Sequence, residues 1–125
     1  MNHGLNEITV SGPIVIFRAK GAYNMAGIKE YEQEFVKLVT PLMGKPWGIV
    51  NLYPGFETGG PEVIERIVSQ YRWCIKNGCQ YIGFHRTNVL HDYFAKQTTD
   101  CLDLKGVGIF ESEEEVMSWM SSKLT

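Results

Sequence analysis

The chain has no uninterrupted apolar run near the ~20 residues that cross a bilayer, so no membrane span is expected. Its opening, MNHGLNEITV, lacks the basic-then-apolar layout of a secretory leader, and the cytoplasm is the expected compartment. Nor is there a basic excess: 12 Lys and Arg stand against 14 Asp and Glu, which argues against a dedicated nucleic-acid binder. Cysteine is scarce. Cys74, Cys79 and Cys101 are odd in number and form no C-x-x-C, so neither a disulfide framework nor a zinc site is expected. Cys74 falls on the apolar face of an expected helix, where a free thiol acts as a small hydrophobe. The sequence also has no G-x-x-x-x-G-K-[ST] motif, which excludes a P-loop. No cofactor, metal or catalytic group is therefore assigned. Repeats, low-complexity tracts and linkers are missing too, and 125 residues suit one domain over 1–125.

What is present is a regular alternation of strand and helix patterns. LNEITV and PIVIFRA are β-rich runs with a tight turn between them, marked by Ser11 and Gly12. In NMAGIKEYEQEFVKLV, Ile28, Tyr31, Phe35, Leu38 and Val39 recur at helical spacing, with Asn24 placed to cap and Pro41 to stop the helix. WGIVNLY reads as a buried strand. The helix from Pro61 to Asn77 carries the longest apolar stripe: Val63, Ile64, Ile67, Val68, Tyr71, Cys74 and Ile75, closed by Gly78. CQYIGFH is a strand, and NVLHDYFAKQ a short helix expected to turn Val89, Leu90, Tyr93 and Phe94 inward. GVGIF is the last strand. SEEEVMSWMSSKL is a helix opened by a capping box of Ser112 and Glu115.

The order ββαβαβαβα predicts an α/β domain with a mixed sheet, parallel except for its first, edge strand. Segments that follow the strands then gather on one rim, where open α/β sheets bind ligands. That rim collects residues 20–24, 53–60, 85–88 and 111–112. Residues 51–67, NLYPGFETGGPEVIERI, stand at its middle: a buried strand ends, and a proline, three glycines, an aromatic ring, a carboxylate and a threonine precede a helix.

Three stretches, ITVSGPIVIFRAKGAYN, WGIVNLY and ETGGPEVIERI, carry a resemblance to the STAS superfamily, specifically its anti-sigma-factor-antagonist-like (SpoIIAA-like) group. The resemblance implies a STAS-like fold over nearly the whole chain. It also implies that the turn at the helix entrance can carry a regulatory phosphate: Glu57 matches the acidic position, Thr58 the phosphorylated hydroxyl, and Gly59 and Gly60 the small residues that follow. The segment NLYPGFE departs from the group's pattern, with Pro54 in the turn and no serine. Broader relatives are similar to small lipid-binding folds, which implies an apolar ligand as a further reading.

The residues themselves leave three readings of Thr58 open. It can be a turn and cap element, it can lie beside an anion held by the free amides near Gly59 and Gly60, or it can be phosphorylated. Asn51 and Tyr53 at the strand end, Phe56 in the glycine-rich loop, and His85 after the next strand complete the candidate surface. His91, on the following helix, reads as a surface residue. Three functions compete. The first is a non-enzymatic regulatory or binding module using the loop after the third strand for a protein partner or a small apolar or anionic ligand. The second is a carrier of an apolar or lipid-like ligand. The third is a small enzyme with His85 and Asn51 in one cleft.

Overall fold

Ser11 pairs with Ile14 across a two-residue turn made by Gly12, at φ 58°, and Pro13. This hairpin joins β1 (Glu7–Ser11) to β2 (Ile14–Arg18). In the computed structural model, residues 7–18, 25–52 and 60–124 are described, and residues 25–28, 30 and 31 in backbone only. The remaining elements are α1 (Met25–Val39), a 3-10 turn (Thr40–Leu42), β3 (Trp47–Leu52), α2 (Pro61–Lys76), β4 (Cys79–His85), α3 (Val89–Thr99), β5 (Gly106–Phe110) and α4 (Glu113–Leu124). The order is the expected one.

The five strands lie side by side in chain order, β1-β2-β3-β4-β5. β1 pairs antiparallel with β2 at the edge, and the other pairings are parallel. Each parallel crossover steps the same way across the sheet, so crossovers of one hand must stack their helices on one face. The core agrees. Phe35 and Val39 of α1, Val63, Ile67, Tyr71 and Cys74 of α2, and Phe94 and Ala95 of α3 pack with Val15, Phe17, Ile49, Ile82 and Phe84. On the other face α4 places Val116 and Met120 on Ile14, Val50 and Leu52.

Between β3 and β4 the register slips by one residue, from Trp47↔Cys79 to Gly48↔Tyr81. The slip leaves Gln80 over, so Cys79 and Tyr81 belong to opposite cores although they are two apart. α4 can approach closely because glycines floor its groove. A Cβ on Gly83 would sit 2.6 Å from Val116 Cγ2 and 3.2 Å from Trp119 Cζ3. Trp119 uses the space, meeting Tyr81 edge-on at 6.1 Å and Phe110 at 5.5 Å.

The expected stripe of α2 is the observed one, with Val63, Ile67, Tyr71 and Cys74 buried. α3 is different. Its buried residues are His91, Phe94, Ala95, Thr98 and Thr99, while Val89, Leu90 and Tyr93 are exposed. Only Phe94 faces the core as expected, and His91 is inside rather than on the surface. Thr98 and Thr99 satisfy their hydroxyls within the helix, on the carbonyls of Phe94 and Ala95, which makes their burial tolerable.

Candidate functional site

The rim at the C-terminal ends of β2 to β5 is braced by side chains working locally. Asn88 caps α3, its Oδ1 accepting from the N–H groups of Leu90 (2.9 Å) and His91 (3.2 Å). His91 Nδ1 accepts from the Thr87 N–H at 3.0 Å, so a side chain three residues past the cap reaches back over the helix start. Arg86 lies 3.2 Å from Asp92 Oδ1 and donates to Glu111 at 3.3 Å, tying α3 to the end of β5. Ser112 Oγ accepts from the Glu115 N–H and donates to Glu115 Oε1, both at 3.1 Å, so one half of the expected box takes a side-chain rather than a backbone partner. Arg18, at the end of β2, donates to Glu113 of α4 at 2.6 Å.

α2 starts differently. Its cap is Gly60, which has no side chain to offer. The Gly60 carbonyl accepts from Val63 (3.0 Å) and Ile64 (3.1 Å), and Pro61 has no N–H. The Glu62 carboxylate folds back towards this end, so that a Cβ on Gly60 would meet both of its oxygens at 3.0 and 3.1 Å. Negative charge is thus already present where the helix dipole favours it, and a bound anion would have to displace it.

Asn51 and His85 fall on different sides of the sheet. Register pairs Asn51 with Phe84, and Leu52 with His85. Successive strand residues alternate faces, so Asn51 points to the three-helix side, where its Nδ2 donates to Tyr71 Oη at 3.2 Å. Burial pushes the Tyr71 hydroxyl well above its ordinary range, and the Asn51 bond only partly offsets that. His85 points to the α4 side. It is half-buried, with an Nδ1 that no group of the protein bonds. The two do not share a cleft, because the strand period separates them. Of the other sequence candidates, Gly60 is described as above. Tyr53, Phe56, Glu57, Thr58 and Gly59 lie outside the described residues, as do residues 20–24 of the expected rim and the Asn24 cap.

Among the described residues no three His, Cys, Asp or Glu side chains come together as a metal site would need. Cys74 and Cys79 are buried and Cys101 is exposed. Burial raises both inner thiols, Cys79 to about 12. An open groove of about 280 Å³ runs between α1 and α2, lined by Phe35, Val36 and Trp73 and spanned by the Arg66–Glu32 pair at 2.8 Å. Among the described residues no helix is long and apolar enough to cross a membrane.

Sequence reasoning missed His91 and the Arg18–Glu113 pair. The first left a signal, since a polar residue three positions past an Asn cap is placed to reach back. The second left none, its partners being 95 residues apart.

No family model matches the chain, and no curated protein matches it in sequence. Its backbone does match a solved structure: a protein of the DUF3478 family, with a SpoIIAA-like fold, from Shewanella loihica PV-4. The two superpose with a TM-score of 0.66 over 96% of this chain and 95% of that one, at 11% identity. The fold is SpoIIAA-like. At this identity the likeness is one of architecture, as the resemblance in the sequence implied. In this SpoIIAA-like sheet β3 is the middle strand and is buried at every residue. Its C-terminal end and the start of α2 therefore place the connection between them at the centre of the rim.

Proposed function

We propose that the protein is a non-enzymatic regulatory module that binds a protein partner through the connection from β3 to α2, residues 53–60. The observation that supports it is the placement of that connection: it joins the buried central strand, ending at Leu52, to a helix whose cap residue is Gly60. Loops held by a rigid scaffold are where binding residues concentrate. Tyr53, Phe56, Glu57, Thr58, Gly59 and Gly60 form the contact surface, with Asn51 positioning Tyr71 beneath it and His85 at the neighbouring strand end. The Glu62 carboxylate at the start of α2 favours a protein partner over a free anion. Thr58 is the phosphoacceptor in this reading. A phosphate there meets the positive end of α2 but also the negative charges of Glu57 and Glu62, so modification alters partner binding more than stability.

The experiment is capture of partners from the protein's own cells with wild type, Thr58→Glu, Thr58→Ala and Phe56→Ala, alongside phosphate mapping of the native protein. Thr58→Glu and Phe56→Ala should change the captured set while melting stays as in wild type, and Thr58→Ala should lose any phosphate found there. The same partners recovered with all four proteins would reduce the loop to a turn.

A further inference from the structure

α3 is inside out. Its buried side holds an imidazole, one phenyl ring, an alanine and two threonines, whereas Val89, Leu90 and Tyr93 stand 74%, 58% and 56% exposed. Helices normally turn their large apolar side chains to the core. Here the hydroxyls of Thr98 and Thr99 are satisfied within the helix, and the side chains with most to gain from burial are in water. Scattered exposed hydrophobics need no account, but these three occupy one turn and a half of a single helix. That turn is also held in place: Asn88 caps it with two hydrogen bonds, His91 anchors it to Thr87, and Arg86 ties it through Asp92. A pre-ordered apolar patch loses little freedom when it is covered.

Charge around the patch says what covers it. Among the described residues at the starts of α2, α3 and α4 and in the connections leading to them, Glu62, Asp92, Glu111, Glu113, Glu114 and Glu115 outnumber Arg18 and Arg86. Both arginines are already engaged, with Glu113 and with Asp92 and Glu111 respectively. Such a rim repels an anionic bilayer and attracts a basic surface. A second copy would bring the same acidic rim against itself, and three side chains fall well short of the ~800 Å² per partner of a stable dimer.

We infer that Val89, Leu90 and Tyr93 form a docking patch for a basic amphipathic helix of the partner protein, its apolar side on α3 and its lysines or arginines over the acidic rim. The inference rests on the proposed reading of this rim as a partner surface and adds a second contact beside residues 53–60.

The test uses the full chain, isotope-labelled for NMR, and a short Leu/Lys amphipathic helical peptide, with a Leu/Glu version of the same pattern as control. The Leu/Lys peptide should shift signals concentrated in residues 87–97, more weakly as salt rises, and the Leu/Glu peptide should not. Leu90→Ser and Tyr93→Ser should each weaken the binding about tenfold without lowering the melting temperature, since both side chains are exposed. Equal binding by wild type and both variants, or equal binding of the two peptides, overturns the inference. So does Leu90-dependent flotation with phosphatidylcholine–phosphatidylglycerol vesicles, which would make the patch a membrane contact. A dimer in sedimentation that Tyr93→Ser dissociates overturns it as well. If Leu90→Ser captures the same cellular partners as wild type while Thr58→Glu and Phe56→Ala do not, this inference fails and the reading of the loop stands.

Discussion

The side-chain amide of Asn51 donates to the hydroxyl of Tyr71 across 3.2 Å, joining the middle strand to α2 one residue before the strand ends. Both residues are buried, at 3% and 6% exposure. Neither group has water to fall back on, so each depends on the other. The pair also fixes how α2 leaves the sheet, and with it the direction from which the connection from β3 arrives.

Replacing Tyr71 with Phe should therefore leave the Asn51 amide buried without its partner. The expected loss is about 1–3 kcal/mol in chemical denaturation. Adding Asn51→Leu to Tyr71→Phe should recover part of that loss, because removing both polar groups abolishes the desolvation penalty. Strictly additive losses would show that the bond contributes nothing.

A charge under α2 should be far worse. Ile67 is 5% exposed in the larger core, and Ile67→Asp would bury a carboxylate with no cation placed to meet it. Destabilisation of at least about 4 kcal/mol, or failure to fold, is expected by circular dichroism melts. A melt close to that of wild type would mean that this face of α2 is not packed.

The inner thiols predict alkaline lability. Folding pushes Cys79 up to about 12 and Cys74 up as well, chiefly by burial, from an ordinary value of 9.0. The native state then keeps protons that the unfolded chain gives up, so stability is whole below about pH 9 and falls as pH rises towards 12. Tyr71 adds to the fall above its ordinary value of 10.0. Cys79→Ala should flatten the decline between about pH 9 and 11 by up to roughly 1.4 kcal/mol per pH unit, the slope of one proton. Parallel slopes for the variant and wild type would refute the assignment.

Gly83 tests the seating of α4. Val116 is β-branched and fixed in a helix, so it cannot swing away from a methyl group placed 2.6 Å from it. Gly83→Ala should cost about 1–3 kcal/mol in denaturant titrations, by lifting α4 from the sheet. An unchanged midpoint would mean that α4 rides loosely.

The elements and their order were legible because long apolar stripes, as on α2, and alternation of strand with helix follow directly from burial. The side of α3 was not. Val89, Leu90, Tyr93 and Phe94 lie at helical spacing, but spacing says only that a helix forms, while its rotation about its own axis is set by Asn88 and by the exit from β4. Thr98 and Thr99 looked polar in sequence, yet a helix can satisfy a hydroxyl from within. The shared cleft of His85 and Asn51 failed for a related reason. Proximity along a rim was legible, but the face each side chain takes depends on register, here offset near Gln80 by the slip between Trp47 and Gly48.

The side-by-side placing of the strands in chain order has a consequence for synthesis. No strand has to be threaded between two that are already paired, so each can join the free edge as it leaves the ribosome, and neighbours in sequence become neighbours in space. α4 is the exception. It comes after all five strands yet reaches back over β3 and β4, covering Ile14, Val50 and Leu52. Until it emerges, that strip is bare, and a nascent chain halted before Val116 presents a greasy surface to chaperones and proteases although its sheet is complete.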